Sequence, residues 1–136
     1  MANPVPKPQP VIDPGTEPYW RGLNEHKLLL KSCQGCGKTH FYPRELCPYC
    51  YSDQFTWIEA AGTGEIYTYT VCHRPAGPAF AEDVPYVITI VALDEGPQMM
   101  TRLAGARDAA RIGARVKVRY QPQGDGIVLP FFEVVP

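Results

Sequence analysis

The 136 residues are one domain's worth of chain, or a small module joined to a larger one, which excludes a large multidomain enzyme. Hydrophobic residues at 45% and charged residues at 20% can supply a core, while 15 Pro and 12 Gly spread over the whole length exclude an all-helical bundle and favour short strands and turns. With 13 basic against 14 acidic residues the net charge is −1, so no global positive field draws the chain onto nucleic acid or an acidic membrane.

The first ten residues, MANPVPKPQP, lack the apolar core of a signal peptide, and no run is apolar for long enough to span a bilayer. The expectation is a cytoplasmic protein without membrane association. In a reducing compartment five cysteines argue for metal or thiol chemistry over disulfides, and the odd count leaves one unpaired.

Residues 1–15, with prolines at 4, 6, 8, 10 and 14, cannot hold regular structure and are expected to form an extended arm or to lie along a partner. Thr16-Glu17-Pro18 then reads as a helix start: a hydroxyl cap, an acid in the first turn and a proline where no amide partner is needed. The short helix carries Tyr19, Trp20 and Leu23 to about Glu25, either as a docking element or packed on its own core. Residues 27–32 read as a strand leading directly into Cys33.

Cys33-Gln34-Gly35-Cys36 and Cys47-Pro48-Tyr49-Cys50 are two C-x2-C pairs separated by ten residues. Each pair can grip one edge of a tetrahedron, and the intervening hairpin brings the pairs together, so four thiolates can close around Zn²⁺. Four protein ligands leave no open position, so such a metal is structural and cannot readily activate water. Residues 16–55 are accordingly expected to be helix plus zinc ribbon.

Alternation of apolar and polar residues begins after Thr56, giving strands at 65–73, 86–93, 98–103, 116–121 and 127–135. Breakers separate them, with good hairpin turns at Asp94-Glu95-Gly96-Pro97 and Gln123-Gly124-Asp125-Gly126. Five strands with one longer connection at 104–115 suit a small closed barrel, and residues 56–136 are expected to be an OB-fold. The fold class is thus mainly β: a helix and four-cysteine ribbon, then a five-stranded barrel.

Catalytic groups are not evident. Cys72 and His73 are neighbours on a strand and point to opposite faces, so the imidazole cannot readily reach that sulfur, and Cys72 reads as a small core residue. His26 and His40 stand alone, and with four cysteines available His40 reads as a surface or packing residue. No phosphate-binding glycine loop, Ser-His-Asp pattern or carboxylate cluster is present. Residues 102–119 do hold a basic stretch, Arg102, Arg107, Arg111, Arg115, Lys117 and Arg119 against Asp108 alone. In its last part Arg115, Lys117 and Arg119 share the outer face of a strand, either as a solvated edge or as a site for an anion.

The order of these pieces resembles the DUF35 family of zinc ribbons joined to OB-folds. The resemblance is carried by Tyr19-Trp20-Arg21-Gly22-Leu23, by Cys33-x2-Cys36-Gly37, by Tyr42-Pro43-Arg44-x2-Cys47-Pro48-x-Cys50, by Pro85-Tyr86-Val87-Ile88, by Leu93-Asp94-Glu95-Gly96 and by Met99-Met100-Thr101. It covers about residues 14–133 and leaves out the proline-rich arm.

The resemblance implies a small, non-catalytic partner of a thiolase-like large subunit, in a hetero-oligomer that processes acyl-CoA as a thiolase, aldolase or acyltransferase. It also implies that all four ribbon cysteines still bind zinc. Coenzyme A would want arginines for its phosphates and an aromatic or apolar face for its base. Phe41, Tyr42 and Arg44 on the zinc hairpin and Arg74 on the Pro-rich loop are the candidate coenzyme-A-binding residues; alternatively Phe41 and Tyr42 pack ribbon onto barrel and Arg44 braces that junction. The opposing class is nucleic-acid binding, which ribbons and OB-folds also serve, and against it stand the net charge and the lack of a basic-aromatic stripe.

Overall fold

The computed structural model describes residues 6–105 and 107–136. The first five residues of the expected arm lie outside the described residues; the next few lie along the chain's own barrel. There Lys7 Nζ stands 3.2 Å from Asp83 Oδ2, and Pro8 to Pro10 line a groove with Phe80, Ile127 and Leu129.

Helix α1 spans Glu17–Asn24, with proline in its first turn. Thr16 does not cap it through its side chain; instead Thr16 and Asp13 exchange hydrogen bonds, Thr16 N–H donating to Asp13 Oδ1 at 2.9 Å and Asp13 N–H to Thr16 Oγ1 at 3.2 Å. That reciprocal turn fixes the entry angle of the helix. Tyr19 and Leu23, 2% and 0% exposed, settle the choice left open for this helix: its apolar face is buried in the chain's own core. Gly22 allows the close approach, since a Cβ there would stand 2.9 Å from Leu29 Cδ1.

Strands β1 (Leu29–Cys33), β2 (Thr39–His40) and β3 (Phe55–Glu59) form an antiparallel sheet in the order β2-β1-β3. Strand β3 is not evident in the sequence because its residues alternate poorly between buried and exposed; its order comes from cross-strand pairing, Cys33 opposite Phe55 through Leu29 opposite Glu59.

The barrel comprises β4 (Thr63–Cys72), β5 (Tyr86–Leu93), β6 (Gln98–Leu103), β7 (Arg115–Gly124) and β8 (Ile127–Val134), closed in the order β4-β5-β6-β8-β7. All neighbours are antiparallel except β6 and β8, and this five-stranded closed Greek key is the OB-fold. Strand β7 lies between β4 and β8, so it is not the solvated edge that its alternating charges allow. Ile66, Val87, Val91, Met99, Val116 and Phe132 fill the barrel and form one cluster with Tyr19, Leu23, Leu28 and Leu30. Each such side chain contributes about 1.5–3 kcal/mol on burial, so helix, ribbon and barrel stabilise one another. Among the described residues, no helix is long and apolar enough to cross a membrane.

Candidate functional site

The two C-x2-C pairs meet at the tip of the ribbon, with all four Sγ atoms within 4.8 Å of one another. Cys33 and Cys50 Sγ are 3.5 Å apart and Cys36 and Cys47 Sγ 3.7 Å apart. A tetrahedron with Zn–S bonds of about 2.3 Å has edges of about 3.8 Å, so the donor set fits Zn²⁺ in type, number and spacing. The two turns repeat one design. Gly37 N–H donates to Cys33 O and Tyr51 N–H to Cys47 O, each at 2.9 Å, and the residue after the second cysteine of each pair has positive φ, +76° at Gly37 and +65° at Tyr51. Amides also turn toward sulfur: Gly35 N–H reaches Cys33 Sγ at 3.3 Å and Tyr49 N–H reaches Cys47 Sγ at 3.4 Å. Such N–H groups favour thiolate, and those of Cys36 and Gly35 help pull the Cys33 thiol down to about 6.

Between ribbon and barrel lies a largely apolar cleft of about 290 Å³, walled by Trp20, Phe41, Tyr42, Met100, Pro130 and Phe131 among others. Its aromatic side is a cluster in which Tyr19 meets Trp20, Phe41 and Tyr42 with ring centroids 5.1, 5.7 and 5.4 Å away. Burial holds the Tyr19 phenol protonated, well above the usual tyrosine range. Met100 is 67% exposed and Tyr42 37%, which leaves apolar surface open at the rim.

Of the four coenzyme-A candidates, the structure brings Phe41 and Tyr42 into this cleft. Arg44 and Arg74 do not line it. Arg44 is exposed, and its backbone braces the ribbon: its carbonyl accepts from Lys31 Nζ at 3.0 Å and its N–H donates to His40 Nε2 at 3.3 Å. Arg74 is exposed on the connection between β4 and β5. His40, 2% exposed, is a core residue of the ribbon and not a surface one. His26 stacks flat on Tyr120 at 4.8 Å. Cys72 is half-buried, looser than a core position, and His73 is exposed.

The three outer-face cations of β7 already have anions within the chain. Arg115 grips Asp94 through two hydrogen bonds of 3.0 and 2.9 Å, while Lys117 and Arg119 share Glu133 at 3.8 and 3.7 Å. Sequence reasoning missed Arg102 as an individual. Its guanidinium lies over Tyr86 at 4.8 Å and Phe131 at 5.6 Å and pairs with Asp83 at 3.2 Å. The available signal was its place in the basic stretch; what singles it out is the position of Phe131 across the β6–β8 closure, which no local pattern encodes.

A four-cysteine ribbon packed on an OB barrel defines the class of protein. Residues 20–56 match the family described as "ChsH2, rubredoxin-like zinc ribbon domain" and residues 57–121 match "ChsH2, C-terminal OB-fold domain". A DUF35 domain-containing scaffold protein of Methanocaldococcus jannaschii is 33% identical over 118 residues, covering 82% of this chain and 83% of that protein. The chain belongs to the DUF35 family. A probable enoyl-CoA hydratase alpha subunit of Thermomonospora curvata is 34% identical over 127 residues, 93% of this chain but 39% of that subunit, so the chain spans well under half of that relative. Among solved structures, a chain of an "Ltp2-ChsH2(DUF35) aldolase" superposes with a TM-score of 0.81 at 33% identity, covering 93% of this chain and 98% of that one. A DUF35 protein of Sulfolobus solfataricus, with a TM-score of 0.62 at 17% identity, shares the fold.

Proposed function

We propose that this chain is a non-catalytic, zinc-containing subunit of a cytoplasmic acyl-CoA-processing complex, docking on a thiolase-like large subunit and helping to form or position the acyl-CoA site. The observation that carries this is the near full-length match to the DUF35 chain of an aldolase complex. The name of the Thermomonospora curvata relative, a probable enoyl-CoA hydratase alpha subunit, points to the same substrate class. The large subunit supplies the nucleophile and the acid–base residues; in this chain Cys72 ends β4 half-buried and His73 lies exposed beyond the strand, with no hydrogen bond joining them among the described residues.

Zinc acts structurally, holding a ribbon too small to fold on its own core. Within the assembly the open cleft beside Phe41 and Tyr42 offers an apolar wall to a pantetheine arm or acyl chain, and Arg44 and Arg74 lie outside it as contacts for phosphate. The partner's reaction is thiolysis, aldol cleavage or acyl transfer, with hydration added by the relatives' names.

The test is reconstitution with the thiolase-like protein from the same source and measurement of acyl-CoA turnover with and without this chain. Turnover that needs both proteins supports the reading. Robust turnover by the pure chain, abolished on changing Cys72 or His73, overturns it.

A further inference from the structure

The proline-rich arm before helix α1 lies outside the family resemblance, yet its described part is seated on the barrel. Within residues 6–10, Lys7 and Pro10 are half-buried while Pro6, Pro8 and Gln9 are exposed. A three-residue repeat is that of the polyproline II helix, in which positions i and i+3 share a face, and each proline of the arm fixes φ near the value that helix needs. Lys7 and Pro10 are the inner face.

Beneath that face is a largely apolar groove walled by Phe80, Ile127, Leu129 and Phe131. Lys7 Nζ lies 5.5 Å from the centroid of the Phe80 ring and 3.2 Å from Asp83 Oδ2. Burial pushes the Asp83 carboxyl up, but hydrogen bonds from Arg102 and Lys7 outweigh it and hold the group below its ordinary 3.8. Aromatic walls suit a proline-rich segment, and the carboxylate suits a cation placed three residues ahead of a proline.

The seat is specific in chemistry but weak in fastening. Among the described residues no backbone hydrogen bond ties residues 6–12 to the barrel, and the Lys7–Asp83 pair is part-exposed and worth little by itself. A recess of about 140 Å³ also stays unfilled between arm and groove, which forfeits contacts that a better-fitting segment would make. Tethering keeps the arm in place, since a short linker holds it at an effective concentration of about millimolar.

We propose that this groove is a docking site for an extended, proline-rich segment of a partner protein with a basic residue three positions ahead of a proline. The chain's own arm occupies the groove in cis as a releasable placeholder. The site is built by Asp83, Phe80 and β8, and it stands whether or not the chain serves an acyl-CoA enzyme.

The experiment follows the methyl resonances of Ile127 and Leu129 while a capped peptide of residues 4–12 is added to the full-length, zinc-loaded chain. The same titration is made on the double variant Lys7→Ala, Pro10→Ala, whose arm has lost both inner-face contacts. The variant is expected to bind one peptide with a dissociation constant below about 1 mM, and the parent about 10-fold more weakly because its arm competes. A peptide with alanine in place of the lysine is expected to bind the variant about 10-fold more weakly, and the parent peptide to weaken as salt rises.

No shift of these methyls in the variant up to about 1 mM peptide overturns the proposal. Equal binding of the two peptides also overturns it, as the mark of apolar adhesion without a site for the cation. Equal binding by parent and variant would remove the arm as occupant. A parent that sediments as a dimer beside a monomeric variant would seat a second copy's arm in the groove and overturn the placeholder in cis. Because the titration uses this chain alone, failure here is distinct from failure of the accessory-subunit reading, which the reconstitution measures.

Discussion

Trp20 donates its indole N–H to the Tyr42 hydroxyl at 3.0 Å, joining helix α1 to the ribbon hairpin across the mouth of the apolar cleft. The rings meet edge-on with centroids 6.5 Å apart, so the bond and the packing reinforce one another. Tyr42→Phe keeps the ring and removes the acceptor, and is expected to cost about 1 kcal/mol in urea denaturation. Tyr42→Ala also deletes the contacts to Tyr19 and Phe41 and is expected to cost about 3 kcal/mol. Equal effects of the two variants would mean that the ring contributes nothing.

The cysteine tetrad predicts a ranking among thiols. Cys36→Ser removes one of four ligands and is expected to lower bound zinc below one equivalent and to unfold the ribbon, as read by metal analysis and near-ultraviolet circular dichroism. Cys72→Ser is expected to leave zinc at one per chain and to reduce stability by less than about 1.5 kcal/mol, because the half-buried site loses little packing. The opposite ranking would move Cys72 into the working part of the molecule.

Legibility from sequence followed the range of the physical signal. The five barrel strands show local two-residue periodicity and punctuating turns, and the zinc site is written in spacing alone, so both were recoverable. Strand β3 is different: Thr56-Trp57-Ile58 forms a strand because β1 offers it a partner, a non-local cause. The outer charges of β7 were visible, but the carboxylates that answer them, Asp94 and Glu133, come from the turn after β5 and from β8. Closure of the barrel also turned a candidate edge into an interior strand. Arg102 is the extreme case, since its stacking partners Tyr86 and Phe131 converge only once the barrel has closed.

The Asp94–Arg115 pair sets an acid limit on the barrel. Two hydrogen bonds from Arg115, with help from the Thr63 hydroxyl, hold the Asp94 carboxyl down to about 2, below its ordinary 3.8. A carboxyl depressed on folding stabilises the native state above its unfolded value and loses that contribution as pH falls through the folded one. The window is therefore from about pH 4 down to about pH 2. Asp94→Asn is expected to lower thermal stability at pH 7 and to flatten its pH dependence within that window. A variant whose melting temperature tracks the parent's across the whole range would remove the pair from the acid response.

His40 acts higher on the pH scale. Burial first, then the nearby charges of Lys31 and Arg44, holds its imidazole below the ordinary 6.5. Its Nε2 accepts the Arg44 N–H at 3.3 Å, which places the proton of the neutral ring on Nδ1. Protonating Nε2 breaks that bond and puts a second cation beside Lys31, opposite it on β1. A base whose folded value lies below its unfolded one costs stability as pH falls, because the unfolded chain takes up the proton first. The loss begins near the unfolded value of about 6.5 and grows below it. Zinc release has its own acid limb, since the thiolates must stay deprotonated, so His40 is isolated by difference. His40→Gln keeps an acceptor for Arg44 N–H without titrating there. The expected result is a shallower fall in melting temperature between about pH 6.5 and 5 than in the parent, with zinc release unchanged when followed by a chromogenic chelator. Identical curves for the two proteins would assign the whole acid response to the four cysteines and leave His40 as packing alone.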